Sequence, residues 1–567
     1  MRRRALALLA AGLGAAALWV ATRRPLPVEG EPAEDPLRVR GALHVHTAAS
    51  DGGRPALEVI EAARGAGLDF LVLTDHNGVA GKELEGYHGS LLVSAGTEIS
   101  TSEGHVLAIG LEAPGYLFSG DGRDALEDVA SLGGIAFAAH PDSPEPELRW
   151  AGGRLPGPWG LEVWNGDSQW RHAGWWRLAR ALAAYPFNPR RALLGALTRP
   201  GSLALWDELL AERDVPGVAG ADAHGQFRLG EHVALPMPSY ASSFGLVRNH
   251  VLLEEPPSGA AGPDLRRLVD ALGRGRSYVS VDALAPGDGF YFHVAGPDRD
   301  WDMGETAAPG PELRARAGGP APAGTELRLL RDGVVIEASG TALDVPVGGP
   351  GVYRVEAHVP GWPIPWIVSN PVYVFDAAAA ARRHERAAMP APPPEPPESV
   401  VIESFDPGSG FAAEHDESSG MPGEVVAPGS GPDASAAARL AFRLGTPGPG
   451  RPYTWCALVE RAPRDLSGRE GLLLRVRADG SYRFWVQVRD RNPDSADEGQ
   501  EWWFASVRTS PEWRQVRLPF RRFRSINPAS DGALDLDAIV GLVLLVDLGA
   551  APPGAEGTIW IDDLRAY

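Results

Sequence analysis

Residues 43–52, Leu-His-Val-His-Thr-Ala-Ala-Ser-Asp-Gly, decide how the chain is read. An apolar run ends in two histidines spaced i, i+2. Side chains on a strand return to one face every second residue, so His44 and His46 are placed to meet one ion. Asp51 follows in the turn. Residues 55–66 then carry proline at a helix start, apolar residues at 56, 57, 59, 60 and 63, and Gly67 as a stop signal. Residues 70–74 read as a buried strand, and Asp75-His76 stand at its end. Strand, helix and strand, with polar residues at each strand's C-terminal end, is the pattern of an α/β domain with largely parallel strands.

The same grammar continues over 40–285. Glu98 follows the apolar run 90–95, His105 opens another, His140 closes IAFAA before Pro141, and Asp222-Ala223-His224 repeats the i, i+2 spacing. Ten of the 14 histidines lie in this block. Six histidines and several acids at successive strand ends point to metal. Cys456 is the only cysteine, which excludes intrachain disulfides and any Cys-rich zinc site, so His, Asp and Glu must hold the ions. Nitrogen and oxygen ligands suit Zn, Mn or Fe. Two such ions roughly 3.5–4 Å apart can share a hydroxide of near-neutral pKa, the expected nucleophile. Glu98 and His224 are candidate catalytic residues, His224 as a proton donor to the leaving group. Asp75 joins them, and Asp75 and Glu162 also read as groups that orient ligands by hydrogen bonding. Arg149 and Arg228, close after His140 and His224, are candidate anion clamps for substrate.

These motifs, His44-x-His46 with Ser50-Asp51-Gly52, Thr74-Asp75-His76-Asn77, Gly96-Thr97-Glu98, Gly104-His105, His140-Pro141 and Asp222-Ala223-His224, resemble the PHP (polymerase and histidinol phosphatase) metallohydrolases. The resemblance covers 40–285 and implies a distorted β/α barrel of seven strands, (β/α)7, with two or three divalent ions. It assigns His44, His46, Glu98 and Asp222 to one ion, and Glu98, His105 and His140 to a second, with Glu98 bridging. Asp51, His76 and His224 fall to a third, where many relatives have His in place of Asp51. The continuation GRGRSYVSV and the later WIVSNPVYV look like the carbaryl-hydrolase branch, whose members are not all phosphatases.

Outside the barrel the composition changes. Arg2, Arg3 and Arg4 precede an uncharged run at 5–21, so 1–24 reads as a signal peptide or membrane anchor and 25–39 as a Pro/Glu tether. The expected location is extracytoplasmic: periplasmic, membrane-anchored or secreted. Residues 286–376 read as a small β-sandwich, with an Asp332-Gly333 hairpin and an alternating strand at 352–359. Residues 377–399 read as an Ala/Pro linker. Residues 400–567, with VIESFD, GREGLLLRVRADGSYRFWVQV and GTIWIDDLRAY, resemble a carbohydrate-binding jelly roll. There Tyr482, Phe484, Val486 and Val488 should face the core, leaving Arg483, Trp485, Gln487 and Arg489 as a candidate surface for envelope glycan. Glu403 and Asp562 are candidates for a structural Ca²⁺.

A net charge of −20 disfavours nucleic-acid binding. The function expected from all this is an exported metal-dependent phosphoesterase. The alternatives are a carboxylic ester or carbamate hydrolase on the same metal site, and a non-catalytic envelope-binding protein with a metal-bound scaffold.

Overall fold

The computed structural model describes residues 25–567 apart from 33–34, 115, 154, 230–232, 389–397, 407–408, 449–451, 526, 528 and 531, and leaves the side chains of 228, 229 and 233 undescribed. The leader at 1–24 lies outside the described residues. Among the described residues no helix is long and apolar enough to cross a membrane. The chain forms two compact units, Met1–Ala113 with Gly120–Pro390, and Pro114–Ser119 with Ala391–Tyr567.

The first unit is built around β1 (Arg38–Val45), β2 (Phe70–Leu73), β3 (Leu91–Ala95), β4 (Thr97–Thr101), β5 (Gly104–Ile109), β6 (Ile135–Ala138), β7 (Trp159–Asn165) and β8 (Gly217–Ala223). β1–β2, β2–β3, β6–β7, β7–β8 and β8–β1 pair in parallel, and the sheet closes on itself as a barrel. The departure from parallel pairing is β4–β5–β6, which run antiparallel. The turn between β4 and β5 is too short for a crossover helix, so a hairpin is what the chain can make there. Helix α1 (Ala56–Gly65) follows Pro55, whose φ of −58° is already helical, and buries Val59, Ile60 and Ala63. These residues pack with Val45, Leu71, Leu73 and Val93 of the strands. Each large side chain so buried contributes roughly 1.5–3 kcal/mol.

The boundary expected at 285 does not separate two sheets. Arg248–Leu252 pairs with β1 and with Ser277–Ser280, which pairs in turn with Pro365–Ser369. Pro365–Ser369 continues into Gly351–His358 and Glu326–Arg331. The sequence of Gly351–His358 alternates, yet both faces are buried. Arg354 bonds Asp207 at 2.7 and 2.8 Å and Glu356 at 2.8 Å, while Glu356 receives both ends of the Arg199 fork at 2.9 Å. Its polar side is an ion network tied to residues of the barrel block, so alternation here does not mean exposure. The other strands of this block, Tyr291–Ala295, Asp300–Asp302, Arg314–Gly318 and Leu343–Pro346, form a separate sheet of four. The expected Asp332-Gly333 turn has φ of 51° and 79°, both left-handed, as a two-residue hairpin requires.

The linker reading of 377–399 is corrected over 377–387, while 389–397 lie outside the described residues. Ala377–Ala387 is a helix whose first turn is capped by the Asp376 side chain, which accepts from the Ala379 N–H. Arg383 is buried and bonds Asp214 and the Leu210 carbonyl, with its guanidinium over the Phe375 ring. Alanine supplies helix propensity and a single arginine anchors the helix.

The second unit has two antiparallel sheets of six strands each. Leu440, Phe442, Leu474 and Ile561 from one, and Phe484, Val486, Val488 and Leu544 from the other, meet in one apolar core. The alternation at 484–488 therefore sets the core face as expected.

Candidate metal centre

The polar side chains of the cluster come from strand ends: most from C-terminal ends or just beyond, Glu98 and His105 from the first residues of their strands. His44 and His46 come from the end of β1, His76 from just past β2, Glu98 from β4, His105 from β5, His140 from past β6, and Asp222 and His224 from the end of β8. His44, His46, Glu98 and His140 are fully or almost fully buried. Glu98 is the hub. Its Oε2 lies 3.2 Å from Nε2 of both His44 and His46 and 3.4 Å from His76 Nδ1, while Oε1 lies 2.8 Å from His105 Nδ1 and from His140 Nε2. Asp222 Oδ1 is 3.4 Å from His44 Nε2 and 3.6 Å from both His46 Nε2 and His224 Nδ1. Asp51, the most exposed member, places Oδ2 3.2 Å from His224 Nε2 and 3.6 Å from His76 Nε2, and Oδ1 3.5 Å from His46 Nδ1.

Four overlapping groups have ligating atoms within 4.8 Å of one another: His46, Asp51, His76 and His224; His44, His46 and Glu98; His44, His140 and Asp222; and His76, Glu98 and His105. The nine expected ligands are thus brought together. The groups differ from the expected partition in three ways: His46 also reaches the Asp51 set, His76 also groups with Glu98 and His105, and His140 is placed with His44 and Asp222 as well as against Glu98. Glu98 belongs to two groups through different neighbours, the arrangement of a bridging carboxylate.

The donor set suits divalent metal on a direct observation. His44 Nε2, both His46 nitrogens, His76 Nδ1 and His140 Nδ1 are buried with no hydrogen-bond partner. Buried polar nitrogens left unpaired are costly unless something binds them. The charges point the same way. Burial acts to lower the His44 pKa, but Asp222, Glu162 and Glu98 outweigh it and raise it well above the usual value. For His224, burial is likewise outweighed by the hydrogen bond to Asp51 and the charge of Asp222, and its pKa rises to about 9. His46 goes the other way, because burial prevails over Glu98. Burial opposes ionisation of Glu98, yet the surrounding imidazoles hold its pKa well below the usual value. The acids create a field that draws cations into the pocket.

The backbone is bent to serve this cluster. His44, His140 and Asp222 have φ of 63°, 30° and 46°, in the left-handed region that non-glycine residues avoid. His44 therefore reaches Glu98 by local distortion, and the simple i, i+2 argument from an ideal strand gives the right pair for an incomplete reason. The groups behind the ligands explain how the distortion is held. Glu162 Oε1 lies 2.6 Å from His44 Nδ1, and its Oε2 accepts from the His140 N–H at 2.7 Å and from Asn165 Nδ2 at 2.9 Å. A Cβ at Gly220 would stand 1.7 Å from Glu162 Oε1, so only glycine leaves room for that carboxylate. Asp75 accepts from the Thr47 N–H and hydroxyl, both at 2.8 Å, and from the Ser50 hydroxyl at 2.6 Å. It orders the turn that carries Asp51, in keeping with the orienting role read for it in the sequence.

Of the two candidate anion clamps, one is revised and the side chain of the other lies outside the described residues. The Arg149 guanidinium bonds the Ser143 and Pro144 carbonyls, so it braces its own loop instead of facing an anion. The Arg228 side chain lies outside the described residues. The arginine on the wall of the 390 Å³ cavity, which also borders Asp51, Asp222 and His224, is Arg171. It lies on the short helix Gly166–Arg171, capped by Asn165, whose side chain accepts from the Ser168 N–H. Asn165 also donates to Asp222 at 3.1 Å. Asn165 could have been found, because it ends an apolar strand in GLEVWN like the other site residues; nothing in the sequence distinguishes Arg171. Tyr240, another residue missed, donates to the carbonyls of His46 and His224 at 2.7 and 2.8 Å.

The candidate glycan surface is different. Arg483 and Gln487 are buried, and Arg483 donates to the Leu117 carbonyl and to Ser506. Trp485 donates to Asp547 at 2.9 Å, and Arg489 donates to Gln487 while covering the Trp502 ring. This face is largely consumed by its own contacts. Glu403 accepts from the Phe405 and Gly410 N–H groups, and Asp562 from Ser435 and Asp563. Among the described residues neither carboxylate belongs to a cluster of three ligating side chains.

No family model matches the chain, and no curated protein matches it. Among solved structures, a two-domain protein from Bacteroides vulgatus containing a predicted PHP-like metal-dependent phosphoesterase is similar over 59% of this chain and 94% of that one, at 16% identity and a TM-score of 0.27. A family 11 carbohydrate-binding module from Clostridium thermocellum, in complex with a β-1,3-1,4-mixed-linked tetrasaccharide, covers 30% of this chain and 94% of its own, at 17% identity and a TM-score of 0.25. A family 30 module of a cellulosomal cellulase from the same organism covers 30% and 92%, at 13% identity and a TM-score of 0.22. At such scores the functional reading stands on the geometry of the site itself.

Proposed function

We propose that this chain is an exported, metal-dependent hydrolase of the PHP type acting on phosphate esters. The observation that carries the reading is Glu98, whose two carboxylate oxygens face five imidazoles while four of those rings carry buried nitrogens without a partner. His44, His46, Asp51, His76, Glu98, His105, His140, Asp222 and His224 would hold two or three divalent ions. When bound, the ions supply Lewis-acid polarisation of the ester oxygen and a water acidified enough to attack.

The chain's own residues do the rest. Glu162 fixes the His44 ring and, through the His140 N–H, the approach of a second ligand. Asp75 and Thr47 hold the turn that presents Asp51. Arg171, whose Nε donates to Asp167, brings its guanidinium to the cavity wall, with its remaining N–H groups as the donors for an anionic substrate. In hydrolysis the oxygen of water bonds to phosphorus as the bond from phosphorus to the ester oxygen breaks, and one proton passes to the departing oxygen. His224, which lines the same cavity, is the side chain suited to deliver it. The basic and then apolar pattern of residues 1–21 supports placing the reaction outside the cytoplasm.

The test is elemental analysis of the purified full chain, followed by turnover of a phosphomonoester, a phosphodiester and a carboxylic ester after loading with Mn, Zn or Fe. The expected result is at least two ions per chain and preferred hydrolysis of a phosphate ester. Faster turnover of the carboxylic ester would move the assignment to that class, and metal content without any turnover would favour a binding scaffold.

A further inference from the structure

The metal cavity does not end at polar walls. Trp170, Leu193, Phe227 and Pro238 line both the 390 Å³ cavity and a second, adjoining pocket of 150 Å³. The rings of Trp170 and Phe227, which border both, meet edge to face with centroids 5.2 Å apart. The smaller pocket is also lined by Leu178, Ala181, Leu182, Tyr185, Ala196 and Met237. The hydroxyl of Tyr185 is already used, bonding Ser242 Oγ at 2.8 Å and accepting from the Ser239 N–H at 2.6 Å. What the annex offers a ligand is therefore hydrocarbon surface. Leu182 lines it and is also 54% exposed, so the annex opens to solvent at that edge.

We propose that this annex is the subsite for the organic group of the ester, and that it selects phosphate esters of aromatic or alkyl alcohols over those of sugars. The inference rests on the hydrolase reading above and names its substrate class. Three facts support it. The annex shares Trp170, Leu193, Phe227 and Pro238 with the cavity that Asp222 and His224 border, so it lies immediately beside the place where the phosphoryl group would be held. An apolar pocket of 150 Å³ has room for a benzene-sized group. A sugar there would bury hydroxyls with nothing to bond them, and each unpaired polar group costs on the order of 1–3 kcal/mol.

The experiment uses the metal-loaded full chain and two kinds of probe. In the first arm, kcat/KM is measured for methyl, ethyl, propyl and butyl phosphate, phenyl phosphate and glucose 6-phosphate. A rise of roughly threefold to fourfold per methylene is expected until the annex is full, with phenyl phosphate well above the sugar phosphate. Ala181→Trp, which fills the annex from a partly exposed helix, should flatten this series while leaving methyl phosphate unchanged. Leu182→Asp, at the exposed rim, repeats the test in case the larger residue disturbs folding. In the second arm, calorimetric binding of phenylphosphonate and methylphosphonate, neither of which is an ester, is compared in wild type and both variants.

If esters are hydrolysed with no dependence on chain length, the annex assignment is overturned and the hydrolase reading stands. If no ester is hydrolysed but phenylphosphonate binds more tightly than methylphosphonate in the wild type alone, the annex is supported and the hydrolase reading fails. Equal binding of the two phosphonates to the wild type overturns the annex in either case.

Discussion

β1 of the barrel and Arg483–Arg491 of the second unit pose the same problem to a reader of the sequence. Each is a strand that alternates apolar residues with groups able to bind a ligand: His44 and His46 in one, Arg483, Trp485, Gln487 and Arg489 in the other. Their outcomes differ. The nitrogens of His44 and His46 that point toward Glu98 have no hydrogen-bond partner, whereas Arg483, Trp485 and Arg489 spend their donors on Leu117, Asp547 and Gln487. Polar residues on one strand face mark a site only when the fold leaves their bonding capacity unspent. The comparison can be broken or sharpened by experiment.

The largest effect should come from Glu98→Gln. An amide cannot neutralise cations on both sides as a carboxylate does, so turnover should fall by more than about a hundredfold, with loss of metal measured by elemental analysis. Wild-type metal content and rate would remove Glu98 from the hub. Next is Glu162→Gln, which touches no expected ion. A tenfold to hundredfold weaker metal affinity is expected from chelator competition, because the His44 ring loses the charge that orients it. On the other side of the comparison, Arg483→Met should cost about 2 kcal/mol in denaturant unfolding of the second unit by removing charged hydrogen bonds, with metal content and turnover unchanged. A variant that instead lost activity at full stability would show that this strand serves the reaction after all.

The smallest effect concerns Asp490, on that same strand. Burial pushes its pKa up to about 6. A carboxyl whose folded pKa lies above its unfolded value takes up a proton on folding at intermediate pH. The second unit should therefore gain about 1 kcal/mol as pH falls from 7 to 5, and Asp490→Asn should abolish that gain. Unfolding curves of wild type and variant with the same pH slope would contradict the assignment.

Much of this was legible in the sequence because strand ends are local features. Most of the nine ligands are announced by an apolar run that ends or begins beside them, and the structure brings them together with Glu98 between. What could not be read depends on distant partners. Whether Gly351–His358 shows a face to solvent turns on Asp207 and Arg199, roughly 150 residues away. Arg149 looked as well placed as any arginine after His140, but the carbonyls of its own loop claim it. The helix at Ala377–Ala387 was hidden by the prolines that follow it, since composition averaged over the segment masks an alanine run capped by Asp376. The annex lies between residues 170 and 238 and has no sequence signature of its own.

The left-handed backbone at His44, His140 and Asp222 has a consequence for anyone who improves this protein by selection for thermal resistance alone. At each of these positions glycine would relieve the φ penalty. A library sorted only for survival of heating should therefore be enriched in glycine at 44, 140 and 222, and its hardiest members would be the ones that have discarded the metal. Stability and chemistry pull in opposite directions at these three residues, which makes such a selection an activity-blind map of where the fold has been bent for use.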